Sequence, residues 1–387
     1  MKTSKWITLS AIALLFSSCV PPQQQGSTTV VVPNPNNGIS TQPQTQPQNY
    51  NPDISHLYTM RSDYIAGDYQ NNPKLIALVD KMVNTHGFDR NYLYGVFSQV
   101  NREPKALELI GAFKNTQVGK GVISKTSNNG SWETYYTNHA GATRVAKGVQ
   151  FWRENAQYLN KATAVYGVAP EYILGIIGVE TNFGGFTGTY PVLNVLTSIG
   201  LEHQTRSKFF MDELEAYLLM TKEQQFNPTI LKGSYAGAFG YAQFMPSSFR
   251  AYGVDFDGNG RTDLFTPADA IGSIANYFKK HKWSEQVPVT IPAYYSGDRF
   301  TSLDTGFDTK YSQDYLKSVG IVPTMNFYGY TGEVSLIKLT RLNNDELWMG
   351  APNFYVITRY NHVDYYAMAV HQLAQEIRNG YFSSTMR

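Results

Sequence analysis

The sequence predicts a mainly α protein of the α+β kind, built from two or three subdomains. Three observations predict it. The stretch from Asp53 to about Asn160 and the run from Pro170 to Glu180 carry a mostly helical pattern, proline, glycine, aromatic and β-branched residues alternate beyond Trp283, and the chain closes on another helical stretch. A length of 387 residues suffices for more than one compact unit once exported and linking segments are set aside. No internal repeat is visible.

Lys2 and Lys5 precede the apolar run Ile7 to Phe16, which leads into the small residues Ser17 and Ser18 and then Cys19. That order is an export signal, too short for an ordinary membrane span. Small residues directly before a cysteine resemble a bacterial lipobox, with Phe16 departing from the usual aliphatic residue. The expectation is therefore a lipoprotein anchored through Cys19, against a plain secreted protein whose lone thiol is incidental. Val20 to Pro52 contains no charged residue and is dominated by Pro, Gln, Asn, Thr and Ser. It reads as a disordered linker, with a reach on the order of 100 Å at full extension and roughly 30 Å on average.

In "PKLIALVDKMVNTHGF", Leu75, Leu78, Val79 and Met82 recur at helix spacing behind Pro73. The turn residues of "SKTSNNGSWETYY" predict an excursion near 115 to 140, after which helix resumes. Gly167 and Pro170 bracket a new start, and "EYILGIIGVE" runs to Glu180 before Gly184 and Gly185 stop it. "VPVTIPAYYSGDRF", "EVSLIKLTRL" and "NFYVITRY" read as a small β-rich unit, and "YYAMAVHQLAQEIRNG" as a final helix stopped by Gly380.

Charge excludes little and supports little: 32 Lys plus Arg against 30 Asp plus Glu leave a net +2, no basis for nucleic acid or strongly acidic partners. One cysteine excludes an intrachain disulfide, and no His-rich zinc spacing occurs. Most of the 28 tyrosines are read as packing.

Three stretches carry candidate chemistry. Glu180 lies among Ile173, Ile176, Ile177 and Val179, whose burial would disfavour its charged form and keep a proton available for a leaving oxygen. A helix-end glutamate facing water fits the local sequence equally. In "DFDGNGRTDLFTPADA", Asp255, Asp257 and Asn259 occupy positions 1, 3 and 5 of an EF-hand type loop, Gly260 position 6, Arg261 position 7 through its carbonyl, and Asp263 position 9. Position 12 is Thr266, and Asp269 stands three residues later to supply the missing carboxylate. The loop is read as a structural calcium site, against an acidic turn with Asp269 at a helix N-terminus. In "KGSYAGAFGYAQFMPSSF", small residues permit close approach and Gln243 sets an amide among apolar neighbours. Ser234 there lies in no nucleophile elbow.

Taken in order, "MVNTHGFDR", "VYGVAPEYILGIIGVETNFG", "KGSYAGAFGYAQFMPSSF", "VDFDGNGRTDLFTPADAIGSIANYF", "PNFYVITRYNH" and "YYAMAV" resemble the membrane-bound lytic murein transglycosylases of the B type over nearly all of residues 75 to 387. The resemblance implies a lysozyme-like helical core with an elongated groove, a helical N-terminal subdomain, a small β subdomain and a bound calcium. Together with the export signal and the charge-free stretch, it divides the chain into a signal peptide 1–19, a linker 20–52, a helical subdomain 53–160, a catalytic core 161–283 with the loop 255–269, a β-rich subdomain 284–352, and a segment 353–387 closing the groove. The implied activity is cleavage of the β-1,4 bond between N-acetylmuramic acid and N-acetylglucosamine in peptidoglycan, leaving a 1,6-anhydromuramoyl end. Its sole catalytic acid falls on Glu180, and its substrate contacts fall on Ser234, Gln243, Tyr360, Asn361 and Tyr366. Arg206 remains of two adjacent basic residues. The calcium ligands fall on Asp255, Asp257, Asn259, Arg261 and Asp269. The expected partners of a monomeric chain are glycan strands, cell-wall synthesis or remodelling proteins and, through the lipid, a membrane; Val20 after Cys19, where inner-membrane retention has an aspartate, favours the periplasmic face of the outer membrane, and a soluble periplasmic form is the alternative.

There are departures. Asn182, Gly185 and Thr205 stand where that family usually has basic residues, and Val363 replaces a serine. Two other readings stay open. A lysozyme-type hydrolase needs a second carboxylate, for which Glu202 and Asp212 are nearest in sequence. A tethered, calcium-stabilised peptidoglycan-binding protein without turnover needs no buried Glu180.

Overall fold

The computed structural model describes residues 53–112 and 131–385. The export signal with Cys19, the linker 20–52 and the turn-rich stretch up to residue 130 lie outside them. The described residues cluster into two compact units that interleave in sequence: one takes residues 131–185 and 274–385, the other 53–112 and 186–273.

The first unit is organised on the helix Pro170–Thr181, every residue of which from Tyr172 onward is buried. Pro170 fits its first turn, where the missing N–H has no partner to lose. It packs on the final helix Asp364–Thr385 and on Ala142–Glu154 and Ala156–Tyr166. Close approach explains Gly175 and Gly178: a Cβ at the first would lie 2.7 Å from the Val370 carbonyl oxygen, and at the second 2.7 Å from Leu373 Cδ2. The helix runs one residue past Glu180, to Thr181, and its cap is not one of the expected glycines. Asn182, not Gly184 or Gly185, takes the left-handed cap position (φ 51°), with its N–H bonded to the Gly178 carbonyl.

Part of the expected excursion is a helix, Ser131–His139. Trp132 is buried there against Tyr365, at 5.2 Å and edge-on, so a contact from far along the chain supports a helix that begins directly after the turn-rich run. The β-rich stretch forms one antiparallel sheet in the order Ile321–Pro323, Thr290–Tyr295, Asp345–Gly350, Ser335–Thr340. Ile291, Leu316, Ile321, Leu336, Leu347 and Met349 make a separate core for it. "NFYVITRY", expected as strand, belongs instead to the helix Pro352–Tyr360, whose Pro352 sits at a helix start.

In the second unit the helix Pro73–His86 begins at Asn72, whose side chain accepts from the Lys74 and Leu75 N–H groups, and ends at Gly87 in the left-handed conformation. Leu75, Leu78, Val79 and Met82 are its buried face. The helices Val192–Glu202 and Ser207–Glu223 pack together, and a two-residue antiparallel pairing joins Tyr190–Pro191 to Lys232–Gly233. Among the described residues no single helix is long and apolar enough to cross a membrane.

Candidate active site

Glu180 occupies the last turn of Pro170–Thr181 and is 6 % exposed, so it does not face water as a helix-end glutamate would. Tyr366, near the start of the final helix, donates its hydroxyl to Glu180 Oε1 at 2.6 Å. Oε2 is buried with no hydrogen-bond partner among the described residues. Burial pushes the carboxyl up to about 8, against the opposing pull of the Tyr366 hydrogen bond; no second carboxylate is among the groups that govern it. Glu180 thus keeps its proton at neutral pH and presents a free oxygen.

Tyr360 stacks parallel to Tyr366 at 6.5 Å between ring centres, and Tyr277 meets Tyr360 edge-on at 4.9 Å. Burial raises both Tyr360 and Tyr366 well above the usual phenol value, and the Glu180 charge adds to it. Asn361 follows in an extended conformation that ends the helix Pro352–Tyr360, is 1 % exposed, and among the described residues leaves both Oδ1 and Nδ2 without a hydrogen-bond partner. A buried amide with neither atom paired is unusual, since each such group costs roughly 1–3 kcal/mol. It offers a donor and an acceptor to a ligand that brings the complement.

Two residues of this unit escaped the sequence reading. Tyr135 is raised chiefly by burial and then by the Glu180 charge, which puts its phenol within the carboxyl's field. Arg144 donates to the carbonyl oxygens of Gly178 (3.2 Å) and Asn138 (2.7 Å) and so ties the last turn below Glu180 to the helix Ser131–His139. Tyr135 sits in a stretch whose turn residues concealed the helix, and nothing near Arg144 in sequence signals its contact.

The second unit holds the other candidates. Gln243 is 3 % exposed, adopts the left-handed conformation (φ 48°), and donates from Nε2 to the Thr187 (3.1 Å) and Gly240 (2.9 Å) carbonyls. Ser234 Oγ accepts from the N–H groups of Ala236 (3.3 Å) and Ala238 (3.1 Å), which closes a tight turn. Arg206 is half-buried with its guanidinium over Phe209 (5.5 Å) and Phe210 (5.7 Å). Neither carboxylate proposed for hydrolysis resembles Glu180. Glu202 accepts from Arg102 Nε and Tyr69; burial alone would raise it, but these bonds bring it below its usual value. Asp212 is exposed and pairs with Lys208 at 2.6 Å.

The loop Asp255 to Asp269 gathers carboxylate oxygens of Asp255, Asp257 and Asp269 within 4.8 Å of one another. Two oxygens bound to one calcium at 2.3–2.6 Å are at most about 5 Å apart, so this all-oxygen set fits such an ion. Asp269 is fully buried and accepts from the N–H groups of Phe256 (2.8 Å) and Asp263 (2.7 Å). Asp255 Oδ2 accepts from Gly260, and Asn259 Oδ1 accepts from the Arg261 N–H. Asp263 is not in the cluster: its Oδ1 accepts from Phe265.

With this geometry in hand, likeness to known proteins is informative. A family model described as the transglycosylase SLT domain matches residues 70–375. The membrane-bound lytic murein transglycosylase B of Escherichia coli (strain K12) is 38 % identical over 373 residues, covering 96 % of this chain and 97 % of its own. The structure of the Escherichia coli lytic transglycosylase SLT35 in complex with calcium is 41 % identical with a TM-score of 0.76, covering 82 % of this chain and 97 % of that one. SltB3 from Pseudomonas aeruginosa, in complex with NAG-anhNAM-pentapeptide, is 25 % identical with a TM-score of 0.68, covering 79 % and 78 %. With its mainly helical, lysozyme-like fold, the chain belongs to the transglycosylase SLT domain family and, within it, to the membrane-bound lytic murein transglycosylases of the B type.

Proposed function

We propose that this chain is a lytic transglycosylase that cleaves the β-1,4 bond between N-acetylmuramic acid and N-acetylglucosamine in peptidoglycan strands and leaves a 1,6-anhydromuramoyl end. The observation that carries the reading is the state of Glu180: buried, proton-holding to about pH 8, one oxygen engaged by Tyr366 and the other free. Glu180 gives its proton to the bridging oxygen as the bond from C1 breaks. The substrate's acetamido group stabilises the electron-poor C1, and the now charged Glu180 takes the proton of the C6 hydroxyl, whose oxygen bonds to C1. The proton count closes, and no water enters. The C6 hydroxyl is held in the same sugar, so its effective concentration far exceeds what a bimolecular step provides. One carboxyl therefore does the work that two share in hydrolysis. The unpaired amide of Asn361 suits an acetamido group, while Tyr360 and Tyr366 line the carboxyl. Ser234, Gln243 and Arg206 are assigned to the glycan as well.

Mass spectrometry of digested peptidoglycan tests this, since the anhydro product is one water lighter than a reducing end. A predominance of reducing ends would overturn it.

The acidic loop is read as a structural calcium site in an EF-hand-like loop, with Asp255, Asp257, Asn259, the Arg261 carbonyl and Asp269 as ligands. Supporting it are the clustered carboxylates here and the calcium in the SLT35 complex. When bound, the ion would neutralise the gathered charge and hold the loop. A chelator is expected to lower the melting temperature, and an unchanged one would remove the ion from the reading. The same proposal anchors the chain through a lipid on Cys19 at the periplasmic face of the outer membrane, in keeping with the order of basic, apolar and small residues before it. The division of the folded body at residues 160, 283 and 352 is part of the same reading. Cys19→Ser should move the protein from the membrane to the soluble fraction.

A further inference from the structure

The turn after Glu180 runs into Phe186, a large apolar side chain that is 54 % exposed. Single exposed hydrophobes are ordinary on protein surfaces. What sets Phe186 apart is the backbone that presents it. The carbonyl of the next residue, Thr187, accepts from Gln243 Nε2 at 3.1 Å. Gly188 has φ 100°, and a Cβ there would fall 2.1 Å from the Gly233 carbonyl oxygen and 2.5 Å from the Ser234 nitrogen, so this loop lies directly on the segment that carries Ser234. Two residues further on, Tyr190 pairs with Gly233 in a short antiparallel bridge. The Phe186 ring is therefore held out to solvent by a loop pinned at three points to Gln243 and to the Gly233–Ser234 segment, and Gln243 and Ser234 are two of the residues assigned to the glycan.

We infer that Phe186 is a specificity-determining residue whose ring face stacks against a pyranose ring of the glycan strand. A pyranose turns a face of slightly positive C–H groups outward, and the face of an aromatic ring is slightly negative, so the two attract while the apolar surface of each leaves water. Pinning matters because the ring is already in place: little side-chain or loop freedom is lost when the sugar arrives. Gln243 has a double part in this account, since its side chain holds the Thr187 carbonyl in place. The inference rests on the proposed glycan substrate.

The test separates the two. In the full chain carrying Glu180→Gln, which removes turnover, affinity for uncross-linked peptidoglycan strands is measured by calorimetry with Phe186 intact and with Phe186→Ala, Phe186→Leu and Phe186→Trp. Phe186→Ala should weaken binding roughly fivefold to tenfold. Phe186→Trp should match or exceed the parent, and Phe186→Leu should fall with the alanine variant. In the otherwise native chain, Phe186→Ala should raise KM by a similar factor with kcat within about twofold, as expected for an interaction made equally in ground and transition states. Melting temperatures should be unchanged, because the side chain is exposed. Unaltered affinity in Phe186→Ala, or full recovery by leucine, would overturn the stacking role. Failure of the native chain to form anhydro ends would instead overturn the proposed reaction and leave the binding comparison to stand or fall by itself.

Discussion

The protein buries two glutamates almost equally, and they do opposite things. Glu180 in the first unit is 6 % exposed and Glu213 in the second is 5 % exposed. Burial raises both carboxyls. Glu213 has both oxygens occupied: Oε1 accepts from Ser247 Oγ at 2.6 Å and Oε2 from the Ser247 N–H at 2.9 Å, which caps the helix Pro246–Tyr252. Glu180 has one oxygen occupied, by a phenol, and one free. Depth and a raised pKa do not by themselves mark a reactive carboxyl. The unfilled oxygen does.

Exchanging each glutamate for glutamine should give the largest difference between them. Glu180→Gln should lower the rate of anhydro-end formation by roughly a thousandfold, the scale of a lost acid–base group. Glu213→Gln should leave the rate of folded protein unchanged but cost about 1–3 kcal/mol of stability, measured by denaturant unfolding, because an amide N–H2 would then face a donor from Ser247. A thousandfold rate loss in Glu213→Gln would erase the distinction.

The next test uses Tyr366. Its hydrogen bond favours the charged form of Glu180, so Tyr366→Phe should raise the Glu180 pKa above about 8. Activity that needs the protonated acid is lost as pH rises through that value, so the alkaline limb of the pH–rate profile should move upward in the variant, with a rate loss on the order of tenfold below it. A limb that stays put would mean another group sets it.

Stability against pH carries the same signature with its sign fixed. The folded pKa of Glu180, about 8, lies above the ordinary 4.5, so the stability associated with its proton is whole below 4.5 and declines as pH rises to about 8. Glu180→Gln should therefore gain in melting temperature relative to the parent across that window and level off above it. The smallest effect concerns the helix end. Asn182 holds φ 51°, so Asn182→Ala should cost about 1 kcal/mol in unfolding experiments and Asn182→Gly close to nothing.

Much of this was readable in the residue order, and the parts that were not share a cause. Glu180, the acidic residues 255 to 269 and the helix behind Pro73 are local: a few adjacent side chains state their own geometry. Tyr366 lies 186 residues from Glu180 and Asn361 nearly as far, and only likeness to a known family joined them beforehand. Where local chemistry competed with distant packing, packing won. The expected excursion was drawn to about residue 140, yet Trp132 and Tyr135 meet Tyr365 and hold a helix from Ser131. "NFYVITRY" has strand composition, yet Pro352 and the burial of Phe354 and Ile357 make it helical. The order of the four sheet strands, with the third segment at one edge and the first inside, follows from crossovers that no local pattern records. Tyr135 and Arg144 bear on Glu180 through contacts with no sequence mark at all.

The amide of Asn361 and the second oxygen of Glu180 are matched by no protein group among the described residues, so both are left for a bound molecule to meet. A compound with one N–H and one C=O at acetamide spacing, and a protonatable or hydroxyl group to meet the carboxyl, would warm the melting transition without being turned over. The protein can thus report its own inhibitors by a shift in melting temperature, with no cell wall in the tube.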